Sequence, residues 1–193
     1  MRYFLLYKPF QVMSQFSPEG DKRTLKDFFP VPNDVYPVGR LDYDSEGLLL
    51  LTNDKSLNNR LLNPIRQHER EYWVQVDGAI DDNAIQKLQN GVDISINGKT
   101  HHTLPASAYI FLDQPNLPAR NQPIRFRKEI PAPWISLTLH EGKNRQVRRM
   151  TAAIGFPTLR LVRYRIEKLD LGGLQPGEMR ELDREEIYKA LFG

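Results

Sequence analysis

The sequence predicts a mixed α+β fold, and three observations carry that prediction. Short apolar or alternating runs read as strands, and capped amphipathic stretches read as helices. The two kinds of element alternate along the 193 residues with no long linker, internal repeat or low-complexity tract. Tyr3 to Tyr7 is a first strand, stopped by Lys8-Pro9. Ser17-Pro18-Glu19-Gly20-Asp21 is a turn, and Thr24 to Phe29 is one short helix ended by Pro30. The run Leu48-Leu49-Leu50-Leu51, closed by Thr52-Asn53-Asp54, is a buried strand or short core segment. Ser56 caps a helix through Leu62 that stops before Pro64. Arg70 to Val76 alternates as a strand does, and Asp81 or Asp82 caps a helix to Asn90 with Gly91 as its stop. Residues 92 to 140 are mainly strand and loop, with a Pro-rich excursion from Leu112 to Pro133 that is either functional or disordered. Ile135 to Leu139 is another strand. Asn144 caps a helix ending at Ile154, whose buried stripe is Val147, Met150, Thr151 and Ile154. A final helix runs from about Asp183 to Leu191.

Composition narrows the function classes. Forty per cent hydrophobic and 26% charged residues describe an ordinary soluble protein, able to bury one sizeable core. No apolar stretch approaches the roughly 20 residues that a membrane-spanning helix needs. The apolar run at Tyr3 to Tyr7 is too short for a signal peptide. Without cysteine there is no disulfide, no thiolate nucleophile and no Cys-ligated zinc, which fits a cytoplasmic location.

The net charge of +3 is unevenly spread. Between Arg120 and Arg165 stand eleven Lys or Arg against Glu129 and Glu141, so this segment carries +9 and the remainder −6. Nine of the eleven are arginine, which suits bidentate phosphate contacts. They interleave with Phe126, Trp134, Phe156 and Tyr164, a mixture fit for backbone contact and base stacking. A solvated charged face is the blander reading; a polyanionic partner is the favoured one.

Two segments carry the chemistry. In Gly39-Arg40-Leu41-Asp42-Tyr43-Asp44-Ser45-Glu46-Gly47, three carboxylates and an arginine sit on an irregular loop in front of the leucine run. A strand-like conformation there would turn Arg40 and Asp42 to the same side. Burying an isolated carboxylate costs about several kcal/mol, so the loop needs partners or a cleft. The second segment is Glu141-Gly142-Lys143-Asn144-Arg145-Gln146-Val147-Arg148-Arg149-Met150, a helix start flanked by cations and ready for an anion.

These two segments, the latter continuing as Gly155-Phe156-Pro157-Thr158-Leu159-Arg160-Leu161-Val162-Arg163, resemble the catalytic and basic motifs of the RsuA-type ribosomal RNA pseudouridine synthases. The likeness runs from Lys8-Pro9 to Pro176-Gly177-Glu178. Together with Pro123-Ile124-Arg125-Phe126-Arg127-Lys128, it is strongest to the large-subunit enzymes. One departure is Tyr7-Lys8-Pro9-Phe10-Gln11, which has Tyr and Gln where relatives usually carry the Asn and Gly of Asn-Lys-Pro-x-Gly.

The resemblance implies an α+β fold with a mixed, mostly antiparallel central sheet flanked by helices. It implies two subdomains, roughly 1–63 plus the C-terminal segment and 64–160, with an active-site cleft between them. Residues 1–193 would form a single catalytic domain, without the S4 RNA-binding domain of many relatives. The implied reaction is isomerisation of a uridine to pseudouridine, in 23S rRNA or the pre-ribosomal large subunit. That reaction involves no redox step and no transfer to a second molecule, so no cofactor or metal is called for, and a monomer suffices. By motif match Asp42 is the catalytic carboxylate, Arg148 the guanidinium that keeps it ionised, and Tyr72 the tyrosine that stacks on the base. Leu161 would pack the pocket, Arg40 and Lys143 would hold flanking phosphates, and Arg145, Arg125 and Arg127 would add RNA contacts.

Taken without the resemblance, several residues have plainer readings. Asp42 and Arg40 would be a loop ion pair, Asp44 and Glu46 loop and helix-capping carboxylates, and Tyr72 a core residue. Asp42-x-Asp44-x-Glu46-Gly47 imitates a calcium loop, but its twelfth position is Asn53 rather than the bidentate Glu. His68, His101, His102 and His140 lack metal-ligand spacing and read as surface or loop residues, and Trp73 and Trp134 as core or interface aromatics. Two other function classes remain: an N-glycosidase using Asp42 with Asp44 or Glu46, which would release free uracil, and a non-catalytic rRNA-binding protein.

Overall fold

A computed structural model describes residues 1–124 and 127–193, and the chain folds as two compact units. The first comprises Met1–His68 and Val162–Gly193, the second Glu69–Leu161. The first unit begins with β1 (Tyr3–Lys8), β2 (Tyr36–Pro37), β3 (Glu46–Thr52) and α1 (Lys55–Leu62). The second holds β4 (Arg70–Val76), α2 (Asp82–Asn90), β5 (Asp93–Ile96), β6 (Lys99–His102), β7 (Ser107–Ile110), β8 (Trp134–Leu139) and α3 (Gln146–Ala153). β9 (Thr158–Ile166) carries the chain back to the first unit, which closes with β10 (Leu169–Asp170), β11 (Met179–Leu182) and α4 (Arg184–Phe192).

In the first unit β1 lies between β11 and β3, antiparallel to both, in a register that sets Tyr3 opposite Thr52 and Lys8 opposite Gly47. Every residue of β1 and β3 is buried, which is why neither alternates in sequence. Phe4, Leu6, Leu49 and Leu51 join Val12, Leu25, Phe29 and Val35 in one apolar cluster. β3 runs parallel to β9, pairing Glu46 with Val162 and Gly47 with Arg163. The strand pairing is therefore mixed and mostly antiparallel.

In the second unit β8 lies between β4 and β7, antiparallel to each. Val74, Val76, Ile135, Leu137 and Leu139 meet Ala84, Ile85 and Leu88 of α2 and Val147 and Met150 of α3. Burial of each large side chain in this cluster contributes about 1.5–3 kcal/mol to the second unit. β5 and β6 form a hairpin whose Asn97-Gly98 turn has positive φ at both residues, the hand that suits twisted strands.

Several local expectations are corrected. The cap of α1 is Asp54 rather than Ser56: its Oδ1 accepts the Ser56 and Leu57 N–H groups at 2.9 and 3.1 Å. Its other oxygen accepts the hydroxyls of Tyr3 and Tyr188, each at 2.8 Å. Burial pushes the Asp54 carboxyl up, but the bonds from Leu57, Tyr188, Tyr3 and Ser56 outweigh it and hold it below the ordinary range. The Thr24 to Phe29 helix is a single 3-10 turn, Leu25–Asp27, with Thr24 and Asp27 forming a capping box. The cap of α3 is Arg145 in a left-handed conformation, φ 50°, rather than Asn144. Glu46 caps no helix; it is the buried first residue of β3. Of the histidines, His102 is exposed as expected and pairs with Asp93, whereas His68 and His101 are partly buried and pair with Glu167 and Glu141.

Candidate active site

The first unit presents Arg40 and Asp42 on the irregular segment that leads into β3. This segment is wired by backbone bonds rather than by regular structure. Val38 N–H donates to Leu50 O at 2.8 Å, Gln11 N–H to Tyr43 O at 2.9 Å, and Ser45 N–H to Asp42 O at 3.0 Å. Leu41 is buried, Asp42 is partly exposed and Arg40 is exposed, so the chain presents both charged residues from an anchored backbone.

Asp42 has a cationic neighbour in a residue that the sequence marks only as a strand stop. Lys8, the last residue of β1, is fully buried, and its Nζ donates to the carbonyls of Pro9 and Val12 at 2.9 and 2.8 Å. Burial pulls the Lys8 ammonium down to about 7, against the opposing pull of Glu46, Asp42 and Asp44. A lysine that ends a run of five apolar strand residues was the available signal, because its neighbours' burial extends to it. The Gly-to-Gln departure is absorbed locally: Gln11 takes the left-handed conformation, φ 54°, that a glycine would adopt there without strain.

The second unit presents Tyr72, Lys143, Arg145, Arg148 and Leu161. Tyr72 lies in β4 and packs against the second unit's apolar cluster, of which Leu161 is a buried member. The same cluster takes the inner face of α3, so it links Tyr72 and Leu161 to the helix that carries Arg148. The turn before α3 is fixed by two side chains. Glu141 accepts Leu104 N–H at 2.9 Å and Gln146 Nε2–H at 2.7 Å, while Gln146 Oε1 accepts Lys143 N–H at 2.9 Å. Lys143 and Arg145 are exposed on that turn, and Arg148 is half-buried.

The basic segment is not one solvated face. Arg160 and Arg163 are only 7% and 5% exposed. Arg160 donates to Pro118 O at 2.9 Å and lies over the buried Trp134 ring; Arg163 donates to Leu48 O at 2.8 Å. Both therefore act inside the fold, and Arg163 satisfies a carbonyl buried away from water. Arg127 pairs with Asp77, so an RNA phosphate would have to compete with that carboxylate. Arg125 and Phe126 lie outside the described residues. Among the described residues no group of three or more His, Cys, Asp or Glu gathers to hold a metal ion, and no helix is long and apolar enough to cross a membrane.

Comparison with known proteins shows the family and the fold. Residues 2–153 match the RNA pseudouridylate synthase family. The chain is 48% identical over 181 residues to ribosomal large subunit pseudouridine synthase E of Vibrio parahaemolyticus, covering 94% of this chain and 74% of that protein. It is 46% identical over 188 residues to the enzyme of the same name from Xanthomonas campestris, covering 96% of this chain and 98% of that protein. A crystal structure of a pseudouridylate synthase superposes with a TM-score of 0.79 at 30% identity, covering 98% of this chain and 74% of the other. With the fold shared and the match spanning both motif segments, the chain belongs to the RNA pseudouridylate synthase family, in its RsuA-type branch.

Proposed function

We propose that this enzyme converts a uridine of large-subunit (23S) ribosomal RNA to pseudouridine, acting as a monomer and without a cofactor. The observation that carries the reading is Asp42, a partly exposed carboxylate on a hydrogen-bonded loop, in a chain 46–48% identical to large-subunit synthases. Isomerisation breaks the N1–C1′ bond, turns the base and joins C1′ to C5, with the C5 hydrogen leaving as a proton. Asp42 is the reacting carboxylate, and each route open to it needs the ionised form: attack at C1′, attack on the base, or removal of the C2′ proton. Arg148 supplies the guanidinium that favours that form. Tyr72 stacks on the flipped base, Leu161 packs its pocket, and Arg40, Lys143 and Arg145 hold flanking phosphates. Arg125 and Arg127 extend the grip on RNA. Extracting the base from its stack costs about a few kcal/mol, which these contacts offset. An rRNA substrate puts the enzyme in the cytoplasm of a bacterium of the kind its relatives come from.

The test is tritium release from 23S rRNA labelled at uridine C5, by wild type and Asp42→Asn, on protein-free RNA and on large-subunit precursor particles. Release by the wild type alone is the expected result. Release of free uracil would point to a glycosidase, and equal release by both proteins would remove Asp42 from the chemistry.

A further inference from the structure

The backbone around Asp42 is held by a segment that no motif singles out. Leu41, the residue before Asp42, donates its N–H to Ser14 Oγ at 3.0 Å, and its carbonyl accepts the Ser14 hydroxyl at 2.8 Å. One hydroxyl thus spans the two peptide groups on either side of Leu41, the second of which is the Leu41–Asp42 peptide itself. Ser14 is 6% exposed and Leu41 8%, so water cannot readily replace either bond. The bonds at Asp42 O and Tyr43 O follow directly, so three successive carbonyls of the loop, 41 to 43, are engaged. The segment that carries Ser14 is itself tied down. Lys8 Nζ holds the carbonyls of Pro9 and Val12, Gln11 N–H reaches Tyr43 O, and Met13 N–H donates to Arg23 O at 2.9 Å.

We propose that Ser14 is a positioning residue for the pseudouridine reaction: its hydroxyl clamps the peptides flanking Leu41 and so sets the direction in which the Asp42 carboxylate is presented. The proposal rests on the reading of Asp42 as the reacting group. Asp42 has only two soft backbone dihedrals, and the clamp fixes the peptide plane at its N-terminal side while the Ser45 and Gln11 bonds fix the carbonyls that follow. Without the hydroxyl, a buried N–H and a buried C=O lose their partner, and the loop shifts to recover them. A displacement of about 1 Å at a reacting group lowers turnover by about 100-fold.

The experiment compares wild type, Ser14→Ala, Ser14→Thr and Asp42→Asn by tritium release, with kcat and KM separated, melting temperatures, and amide exchange at Leu41. Ser14→Ala is expected to lower kcat by about 10- to 100-fold with KM for RNA within about threefold. It should also speed exchange of the Leu41 amide. Ser14→Thr, which keeps a hydroxyl, should recover most of the lost kcat and the Leu41 protection. If kcat of Ser14→Ala stays within about twofold of wild type while Asp42→Asn is inactive, the positioning role is wrong and the Asp42 assignment stands. A kcat loss that Thr does not relieve, or one accounted for by the unfolded fraction at the assay temperature, also overturns it. Full activity in Asp42→Asn overturns the reading beneath the proposal, and the Leu41 exchange then reports separately whether the clamp exists.

Discussion

Replacing Gly47 by alanine asks how tightly β3 and β9 approach. Gly47 has φ +110°, a conformation that side chains oppose, and it pairs with Arg163 in the parallel register. A Cβ built there would overlap the Arg163 carbonyl oxygen and stand 2.7 Å from its nitrogen and 3.0 Å from its carbonyl carbon. Favourable carbon contacts lie at about 3.5–4.0 Å, so two backbones must part, and no side-chain rotation relieves the clash. The disfavoured φ costs about 1–3 kcal/mol and the overpacking about another 1–3. A loss of about 4 kcal/mol lowers the melting temperature by about 8–16 °C for a chain of this size. Gly20→Ala is the control, because Gly20 also has positive φ, +57°, but nothing lies within 4 Å of the added Cβ. It should cost only the conformational part, about 1–2 kcal/mol. Circular dichroism melts and urea midpoints measure both. Equal losses in the two variants would refute the steric argument, and a Gly47→Ala melt within about 2 °C of wild type would refute the whole of it.

Two further outcomes follow from buried charges. Asp54→Ala removes the cap of α1 and strands two tyrosine hydroxyls, so unfolding free energy should fall by about 2–4 kcal/mol in urea titration. Because the folded Asp54 pKa is depressed, its contribution is present above the unfolded pKa and is lost as pH falls through the folded one; wild type and variant should therefore converge in acid. Lys8→Met tests the opposite case, a cation whose folded pKa of about 7 lies below its ordinary 10.5. Between those values the unfolded chain keeps the proton that the folded chain sheds, so wild type should gain on the variant as pH rises. The gain is about 3 kcal/mol between pH 7 and pH 9.5, and a pH-independent difference would show that Lys8 keeps its ordinary affinity for protons.

What the sequence made legible was local. Arg70 to Val76 could be read as β4 because alternation along seven residues reports a two-faced strand, and Asp81 and Gly91 bracket α2 by chemistry contained within the helix and its caps. The misreadings share a different cause. Ser56 and Asp54 are both good caps by residue type; Asp54 takes the position because Tyr3 and Tyr188, 51 and 134 residues away, satisfy its second oxygen. Glu46 reads as a loop carboxylate because nothing nearby in the sequence shows that the β1–β3 register will set Lys8 opposite Gly47 and bring its charge within reach of Glu46. Arg160 and Arg163 counted toward a basic face, since net charge along the chain does not tell which arginines turn inward. The Ser14 clamp has no local signature at all, its partner being 27 residues on.

The division of the chain also sets an order in time. The second unit is one uninterrupted stretch, Glu69–Leu161, whereas the first is completed only by Val162–Gly193. At roughly 5–20 residues per second of synthesis, β3 is made about 5–20 s before β9, and β1 about 9–34 s before β11, the strands that pair with them. During that interval the four-leucine strand has one face packed on residues already made, Val12, Leu25, Phe29 and Val35 among them, but lacks β9 along its edge, and an open edge is where a nascent chain is prone to pair with a neighbour. The contiguous unit, by contrast, waits for nothing beyond its own last residue, Leu161. Ribosomes that stall once Leu161 has cleared the exit tunnel, but before β11 has, should therefore carry a folded second unit and a first unit still short of a strand, so that holdase chaperones would meet this enzyme through its N-terminal strands.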